Sequence, residues 1–336
     1  MRLMGVPEVS ILMPVFNAAQ TLKTALDSIR GQDFESWELL AVDDGSSDDS
    51  LEILVDCARE DPRIHPVRME HRGIVDALQA AATQARGKFL ARMDADDFSG
   101  PQRLRLQLAC FASDPGLGLC GGRVCMIGDR VGSGRRRYEQ WINALVNHQA
   151  IAREIFVECP LPHPTFMISR SWYDRIGGYQ ECPWPEDYDI VMRLLLAGAR
   201  FAKPDAVILN WHDHPGRLSM NDPRYEEAAF RALKRHYLAQ LPARMGRPLY
   251  QWGAGEVGKR WLREWGSAAP VAVVDINSRK IGRVIHGLRV IAPEELPSPG
   301  ACFIVIMVGT PGARDDIRDR LHPRGFRECE DYLFLA

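Results

Sequence analysis

Apolar and polar positions along the first hundred residues follow two alternating rhythms. Val9-Ser-Ile-Leu-Met13 is a short apolar run closed by Pro14, and after it Leu22, Ala25, Leu26 and Ile29 recur at i, i+3, i+4 and i+7. The run predicts a strand, and the recurrence predicts one face of an amphipathic helix. The pair then repeats. Trp37-Glu-Leu-Leu-Ala-Val42 predicts a strand, Asp43 to Asp48 a turn, and Leu51, Leu54, Val55 and Ala58 a second helical stripe. A third stripe, Ile74, Ala77, Leu78 and Ala81, is closed by Gly87. Phe89-Leu-Ala-Arg-Met93 predicts the next strand, with Asp94-Ala-Asp-Asp97 just beyond its end. Such alternation predicts an α/β fold built on a doubly wound, mostly parallel sheet.

The same rhythm returns near the other end of the chain. Tyr225 to Leu241 predicts a helix, and Pro242 to Pro248 a proline-bounded linker. Leu249-Tyr-Gln-Trp252 then predicts a strand, Gly253-Ala-Gly-Glu-Val-Gly258 a glycine turn, and Val271-Ala-Val-Val274 a second strand ending at Asp275. This is the order of a dinucleotide-binding βαβ unit, with Gly253, Gly255 and Gly258 in the turn and Asp275 placed to meet a ribose. Phe303 to Val308 adds a further strand. The expected division is therefore a domain over 1–242 and a small Rossmann-like α/β domain over 243–336. The second would either hold a nucleotide-like ligand or act as a scaffold for the enzyme or a partner.

Composition narrows the function. The chain has 336 residues, 46% hydrophobic and 26% charged, with a formal net charge of −2. That balance offers no global field for nucleic acid, so an anionic ligand must be held by local chemistry. The 8 cysteines are scattered without a C-x-x-C pair, which suits buried thiols in a reducing compartment and a cytoplasmic location. Met1 to Pro7 lacks the order of a signal peptide, and the longest apolar run, Cys302 to Val308, is too short to span a membrane. Peripheral association with the inner face of a membrane stays open.

In a doubly wound sheet, ligands bind beyond the carboxyl ends of the strands, where Asp43, Asp44, Asp94, Asp96 and Asp97 would lie. Carboxylates crowded in one cleft repel unless a cation or ligand hydroxyls compensate them, and hard ions such as Mg²⁺ or Mn²⁺ prefer oxygen donors. A metal carrying a diphosphate fits. Asp-Asp-Gly-Ser-Ser alone also reads as a turn and helix cap; the second cluster, with three acids and no glycine, does not. Further along, Asp187, Ile190, Val191 and Leu194 share one helical face, so Asp187 heads an apolar stripe.

These fragments, in the order "VSILMPVFNAAQTLKTALDSIRGQDFESWELLAVDDGSSDDS", "HRGIVDALQAAATQARGKFLARMDADD", "HPTFMISRSWYDRIGGYQ" and "PEDYDIVMRLLLAG", resemble the inverting glycosyltransferases of family two, with the GT-A fold. The resemblance covers Val9 to Ser219. It implies that Pro14, Val15 and Asn17 line the nucleoside pocket and that Asp43 or Asp44 hydrogen-bonds the base. Asp94-Ala-Asp96 matches the family's D-x-D motif for ribose and metal, with Asp97 sharing the duty. Glu186-Asp187 matches its E-D pair, in which Asp187 would be the catalytic base. His163, Glu186 and Trp184 would border the acceptor. "NWHDHPGRLS" resembles the family's Y-R-x-H-x-x-S ending; His214 is the matching histidine and a candidate metal or diphosphate contact, but Trp211 and His212 replace the tyrosine and arginine.

The implied reaction moves a sugar from a nucleotide-sugar donor, expected to be a uridine diphosphate sugar, to a saccharide or lipid-linked acceptor in cell-surface polysaccharide synthesis. Asp187 would take the acceptor proton and the metal would stabilise the leaving diphosphate. Two other readings compete. A sugar nucleotidyltransferase should carry a glycine-rich, basic loop near its start, and Pro14 to Thr21 has neither glycine nor basic residue. A non-catalytic nucleotide-sensing or interaction protein would not need Asp94, Asp96 and Asp187 intact.

Overall fold

The computed structural model describes residues 5–129, 131–310 and 312–336. By contact the chain divides into two compact units: one runs to Ile151 and resumes over Pro160–Asp222, and the other joins Ala152–Cys159 to Pro223–Ala336. The helix Glu227–Gln240 thus groups with the second unit, whereas the boundary expected from sequence lies after it, at Pro242.

Among the described residues the first unit contains β1 (Val9–Val15), β2 (Trp37–Asp44), β3 (Ile64–Met69), β4 (Phe89–Arg92), β5 (Phe98–Ser99), β6 (Leu117–Cys120), β7 (Arg123–Ile127), β8 (Met167–Ser169), β9 (Arg200–Ala202) and β10 (Val207–His212). The main sheet runs β3-β2-β1-β4-β8-β6-β9, and β5-β10-β7 form a smaller one. β3, β2, β1 and β4 are parallel, so their carboxyl ends share one edge, whereas β8 runs antiparallel to β4 and β6. The register sets Val15 beside Asp43, which brings the loops after β1 and β2 level.

Every residue of β2 is buried, as expected of a strand covered on both faces. One cover is the helix Ala19–Arg30, whose Leu22, Ala25, Leu26 and Ile29 are all buried. Each fully buried leucine or isoleucine of that stripe contributes about 1.5–3 kcal/mol. The helix Ser50–Glu60 departs from expectation: it buries Ser50, Leu54 and Cys57 and leaves Val55 exposed. Ser50 Oγ donates to Asp48 Oδ1 at 2.6 Å and accepts the Ala18 N–H at 2.8 Å, and these bonds rotate the helix toward the β1 loop.

The second unit contains β11 (Leu249–Trp252), β12 (Ala272–Val274), β13 (Val284–Ile285), β14 (Leu288–Ile291), β15 (Phe303–Ile306) and β16 (Tyr332–Phe334), in the order β13-β14-β12-β11-β15-β16. All pair in parallel except β13 with β14. Two glycines are required by close packing: a Cβ on Gly253 (φ +116) would sit 2.8 Å from Met307 O, and one on Gly258 2.0 Å from Gly253 O. Residues 152–159 are stitched into this unit by Lys234, whose ammonium donates to Val157 O at 2.7 Å and Leu335 O at 3.2 Å. Burial pushes the Lys234 amine down to about 8.

Candidate active site

The acid cluster forms where β4 runs out. Arg92, its last residue, is buried and ion-paired with Asp94. Asp94, Asp96 and Asp97 each turn an oxygen to one point, all within 4.8 Å of one another. Asp97 is only 1% exposed; its Oδ1 accepts the His212 N–H at 2.8 Å, and its Oδ2 is buried with no hydrogen-bond partner among the described residues. Burial raises the Asp97 carboxyl well above the usual range, the charges of Asp94 and Asp96 raise it further, and the His212 N–H and Arg217 offset only part. Burial likewise lifts Asp94 above its ordinary value, although Arg92 opposes it. For Arg92 burial works against the charge, but Asp94 outweighs it and the guanidinium pKa rises.

The opposite wall comes from the turn after β10. His214 Nε2 lies 2.6 Å from Asp96 Oδ2, so the two expected metal ligands are in contact. Asp213, itself buried, holds Arg217 at 3.4 Å and Arg135 at 3.3 Å. The Arg217 guanidinium lies over the Trp211 ring, 4.5 Å from its centre, and its charge acts on both Asp94 and Asp97. Sequence reading missed Arg217 and Arg135. The signal in the sequence is an arginine three residues past His214, displaced from position 212, where the resemblance has its own. Donors of this kind, carboxylate oxygens with an imidazole and an orphaned buried oxygen, fit a hard divalent cation such as Mg²⁺ or Mn²⁺.

The two acids after β2 have separate tasks. Asp44 accepts the N–H groups of Arg72 at 2.8 Å and Gly73 at 2.9 Å, and His71 Nδ1 lies 2.9 Å from its Oδ2. It therefore clamps the loop that opens the helix Ile74–Gln84. Asp43 is buried, and its Oδ1 has no hydrogen-bond partner among the described residues. Gly45, at φ +72, completes this turn, since a Cβ there would lie 2.8 Å from His71 N. Asn17, at φ +50, is tied to the same turn: its Oδ1 accepts the Ser47 N–H at 2.8 Å and its own N–H donates to Ser46 Oγ at 2.9 Å. Pro14 is half-buried beside it, and Val15 packs into the core. Between them Phe16 is exposed and stacks on His71, with ring centres 4.2 Å apart.

His163 and Glu186, two of the residues expected at the acceptor, lie in one network with Tyr179. His163 Nε2 is 2.8 Å from the Tyr179 hydroxyl, and its Nδ1 is 3.7 Å from Glu186 Oε1. Burial, aided by Arg92, drives the His163 pKa well below its ordinary value, so the ring is neutral. Burial raises the Tyr179 phenol well above its ordinary value; Arg92 opposes this, and Glu186 and Asp187 are close enough to add to it. This network links the acid cluster to the start of the helix Glu186–Leu196. On that helix Asp187 is half-buried and accepts the Tyr188 N–H at 2.7 Å, while Ile190, Val191 and Leu194 are fully buried. Trp184 donates its indole N–H to Asp189 Oδ1 at 2.8 Å, and Asp189 also accepts Arg193 Nε at 2.8 Å. The Trp184 ring is thus held by the helix.

In the second unit Asp275 is occupied. Its Oδ2 accepts the Ala254 N–H and the Lys280 ammonium, each at 3.0 Å, and its Oδ1 accepts the Asn277 N–H at 2.8 Å. Burial pushes this carboxyl up, but those donors outweigh it and its pKa lies below the ordinary value. Gly253 and Gly258 are packed, whereas nothing approaches a Cβ placed on Gly255.

Comparison with known proteins follows the same map. The family described as Glycosyl transferase family 2 matches residues 10–177, half of the chain. The Haemophilus influenzae "Uncharacterized glycosyltransferase" is 24% identical over 60% of this chain and 64% of its own length. The Bacillus subtilis "Putative glycosyltransferase EpsE" is 28% identical over 58% of this chain and 69% of its own. The Escherichia coli "Chondroitin synthase" is 28% identical over 57% of this chain but only 27% of its own length. Among solved structures, S. aureus TarS 1-349 in complex with UDP-GlcNAc superposes with a TM-score of 0.57 at 20% identity, covering 70% of this chain and 66% of that one. At that identity the likeness concerns the fold.

Proposed function

The chain belongs to glycosyl transferase family 2, and on that premise we propose that it moves a sugar from a uridine diphosphate donor to a saccharide or lipid-linked saccharide acceptor, with inversion and with Mg²⁺ or Mn²⁺ bound. The reading rests on the acid cluster, where three like-charged carboxylates converge and one buried oxygen has no partner. Such an arrangement is costly in an empty protein and becomes favourable when a cation and a ligand arrive. Asp96, Asp97 and His214 would hold the ion, and when bound it would act as a Lewis acid toward the departing diphosphate.

The rest of the chemistry belongs to the chain itself. Arg92 keeps a permanent positive charge against Asp94, leaving that carboxylate to receive a ribose hydroxyl. A divalent ion would cancel what Arg92 leaves of the cluster's negative charge, and little would remain to balance a diphosphate. Arg217, held over Trp211 and shared with Asp213, would supply that charge in place of the arginine absent at position 212. Asp43, Asn17 and the stacked Phe16 and His71 would face the nucleoside. Asp187 would accept the proton of the attacking hydroxyl, with Glu186 and the neutral His163 fixing the start of its helix.

The uridine donor is supported by the nucleotide sugar in the TarS complex, and polysaccharide assembly by the chondroitin synthase and the Pasteurella multocida hyaluronan synthase among the relatives. We place the reaction at the cytoplasmic face of the membrane. For the second unit we propose a scaffold role, because Asp275 already has three donors. The test is a donor panel read by release of nucleoside diphosphate, with Mn²⁺ and with chelator. The expected outcome is turnover of a uridine diphosphate sugar with Mn²⁺ only. A preference for guanosine or thymidine donors would overturn the donor assignment, and undiminished turnover in chelator would overturn the metal.

A further inference from the structure

Within the first unit, the rim beside the acid cluster carries charge that the reaction does not use. The helix Ser133–Ala144 presents Arg135, Arg136 and Arg137 in succession and packs on the core through Tyr138, Trp141 and Ile142. The short helix Leu218–Asn221 lies against it, with Met220 Sδ 3.8 Å from Arg135 Nη2. Leu218 and Met220 are 41% and 55% exposed. The two acids that pair with these arginines are turned inward, whereas Asp129, before the helix, is exposed. Asp213 is buried and shared by Arg135 and Arg217, and Glu139 accepts the Met126 N–H at 2.7 Å as well as Arg136. Arg136 and Arg137 reach solvent, and Arg135 of the same helix is the guanidinium in contact with the exposed Met220.

Ordinary solvated faces intersperse both signs of charge. Guanidinium groups next to exposed apolar side chains suit a phosphate-rich surface with hydrocarbon beneath it. We propose that this rim docks on an anionic lipid bilayer, bringing the mouth of the acid cleft to the level of the phosphate headgroups. Among the described residues no helix is long and apolar enough to cross a membrane. Attachment through charge and two apolar side chains is reversible and salt-sensitive. The proposal stands apart from the transferase reading, because vesicle binding requires neither donor nor acceptor.

The test is flotation of the full chain with phosphatidylcholine vesicles, with and without about 30% phosphatidylglycerol, at low salt and at about 0.5 M salt. Binding is expected to the anionic vesicles alone and to fall in high salt. Arg136→Glu combined with Arg137→Glu should weaken it at least tenfold, since each basic residue near an anionic surface contributes about 1 kcal/mol. Leu218→Ser with Met220→Ser should weaken it several-fold in both salts. Should the glutamate pair fail to fold, the Arg136→Gln and Arg137→Gln pair makes the same comparison with a smaller effect. Equal binding to neutral vesicles, no binding, or a charge-reversed variant that floats like the wild type would each overturn the proposal.

Discussion

Each unit carries a buried aspartate in the connection after a strand, Asp275 directly after β12 and Asp97 past Asp94 and Asp96 after β4, yet the two carboxylates live in opposite conditions. Asp275 accepts two backbone N–H groups and an ammonium, and its proton is held less tightly than in an ordinary carboxyl. Asp97 has one N–H, two like charges and an oxygen facing nothing, and its proton is held more tightly. A satisfied acid fastens its own loop, whereas a frustrated one is held in place by the surrounding fold and is stabilised by what it binds. The same residue type, beyond the end of a strand in both units, therefore reads as structure in one and as a site in the other.

Asp96→Ala should break the comparison most strongly. It is expected to lower turnover by roughly a thousandfold, the scale of losing a metal ligand worth several kcal/mol, whereas Asp275→Ala should leave turnover of the folded protein unchanged. Parallel steady-state assays decide this, and an equal loss in both would remove the distinction. Asp187→Asn comes next: turnover falls by about a hundredfold with donor affinity preserved. Loss of Mn²⁺-dependent donor binding in that variant would instead make Asp187 a metal ligand.

Arg217→Ala should weaken donor binding by about tenfold, consistent with one charge-assisted hydrogen bond, with partial recovery in Arg217→Lys. Its dissociation constant for a nucleoside diphosphate provides the measurement. The smallest effects are on stability, and they should have opposite signs. Asp275→Asn is expected to cost about 2 kcal/mol, since it weakens charge-assisted bonds, while Asp97→Asn should add about 1 kcal/mol at neutral pH by removing a buried like charge. The pH dependence follows. Asp275, with a lowered pKa, contributes stability above the unfolded carboxyl value and loses it as pH falls through its folded value. Asp97, with a raised pKa, contributes below the unfolded value and loses it as pH rises through its folded value. The gain from Asp97→Asn should therefore shrink toward pH 4, as thermal unfolding between pH 4 and 8 would reveal.

What was legible in the sequence followed the strength of local pattern. β1 and β2 are long, largely buried runs, β4 is a short apolar one set off by Gly87, and the acids beyond them could be placed from chain order alone. Asp43 and Asp44 could not be told apart, because adjacent strand residues face opposite sides and only the loop at residues 71–73 shows which is already engaged. Strands as short as Arg200–Ala202, and the passage of residues 152–159 into the second unit, leave no periodic trace, since both are fixed by contacts distant in sequence. Trp184 reads as a sugar platform until its indole N–H is seen on Asp189. Arg92 went unmarked in the sequence, although a charge inside an apolar strand requires a buried partner.

Calorimetric titration of uridine diphosphate into the full chain, in Mn²⁺ and in chelator, decides whether the frustrated carboxylates after β4 hold a cation together with a donor diphosphate. Binding at least tenfold tighter with Mn²⁺, and lost in Asp96→Ala, is the predicted result. Equal affinity in chelator, or a wild-type response from Asp96→Ala, would contradict it.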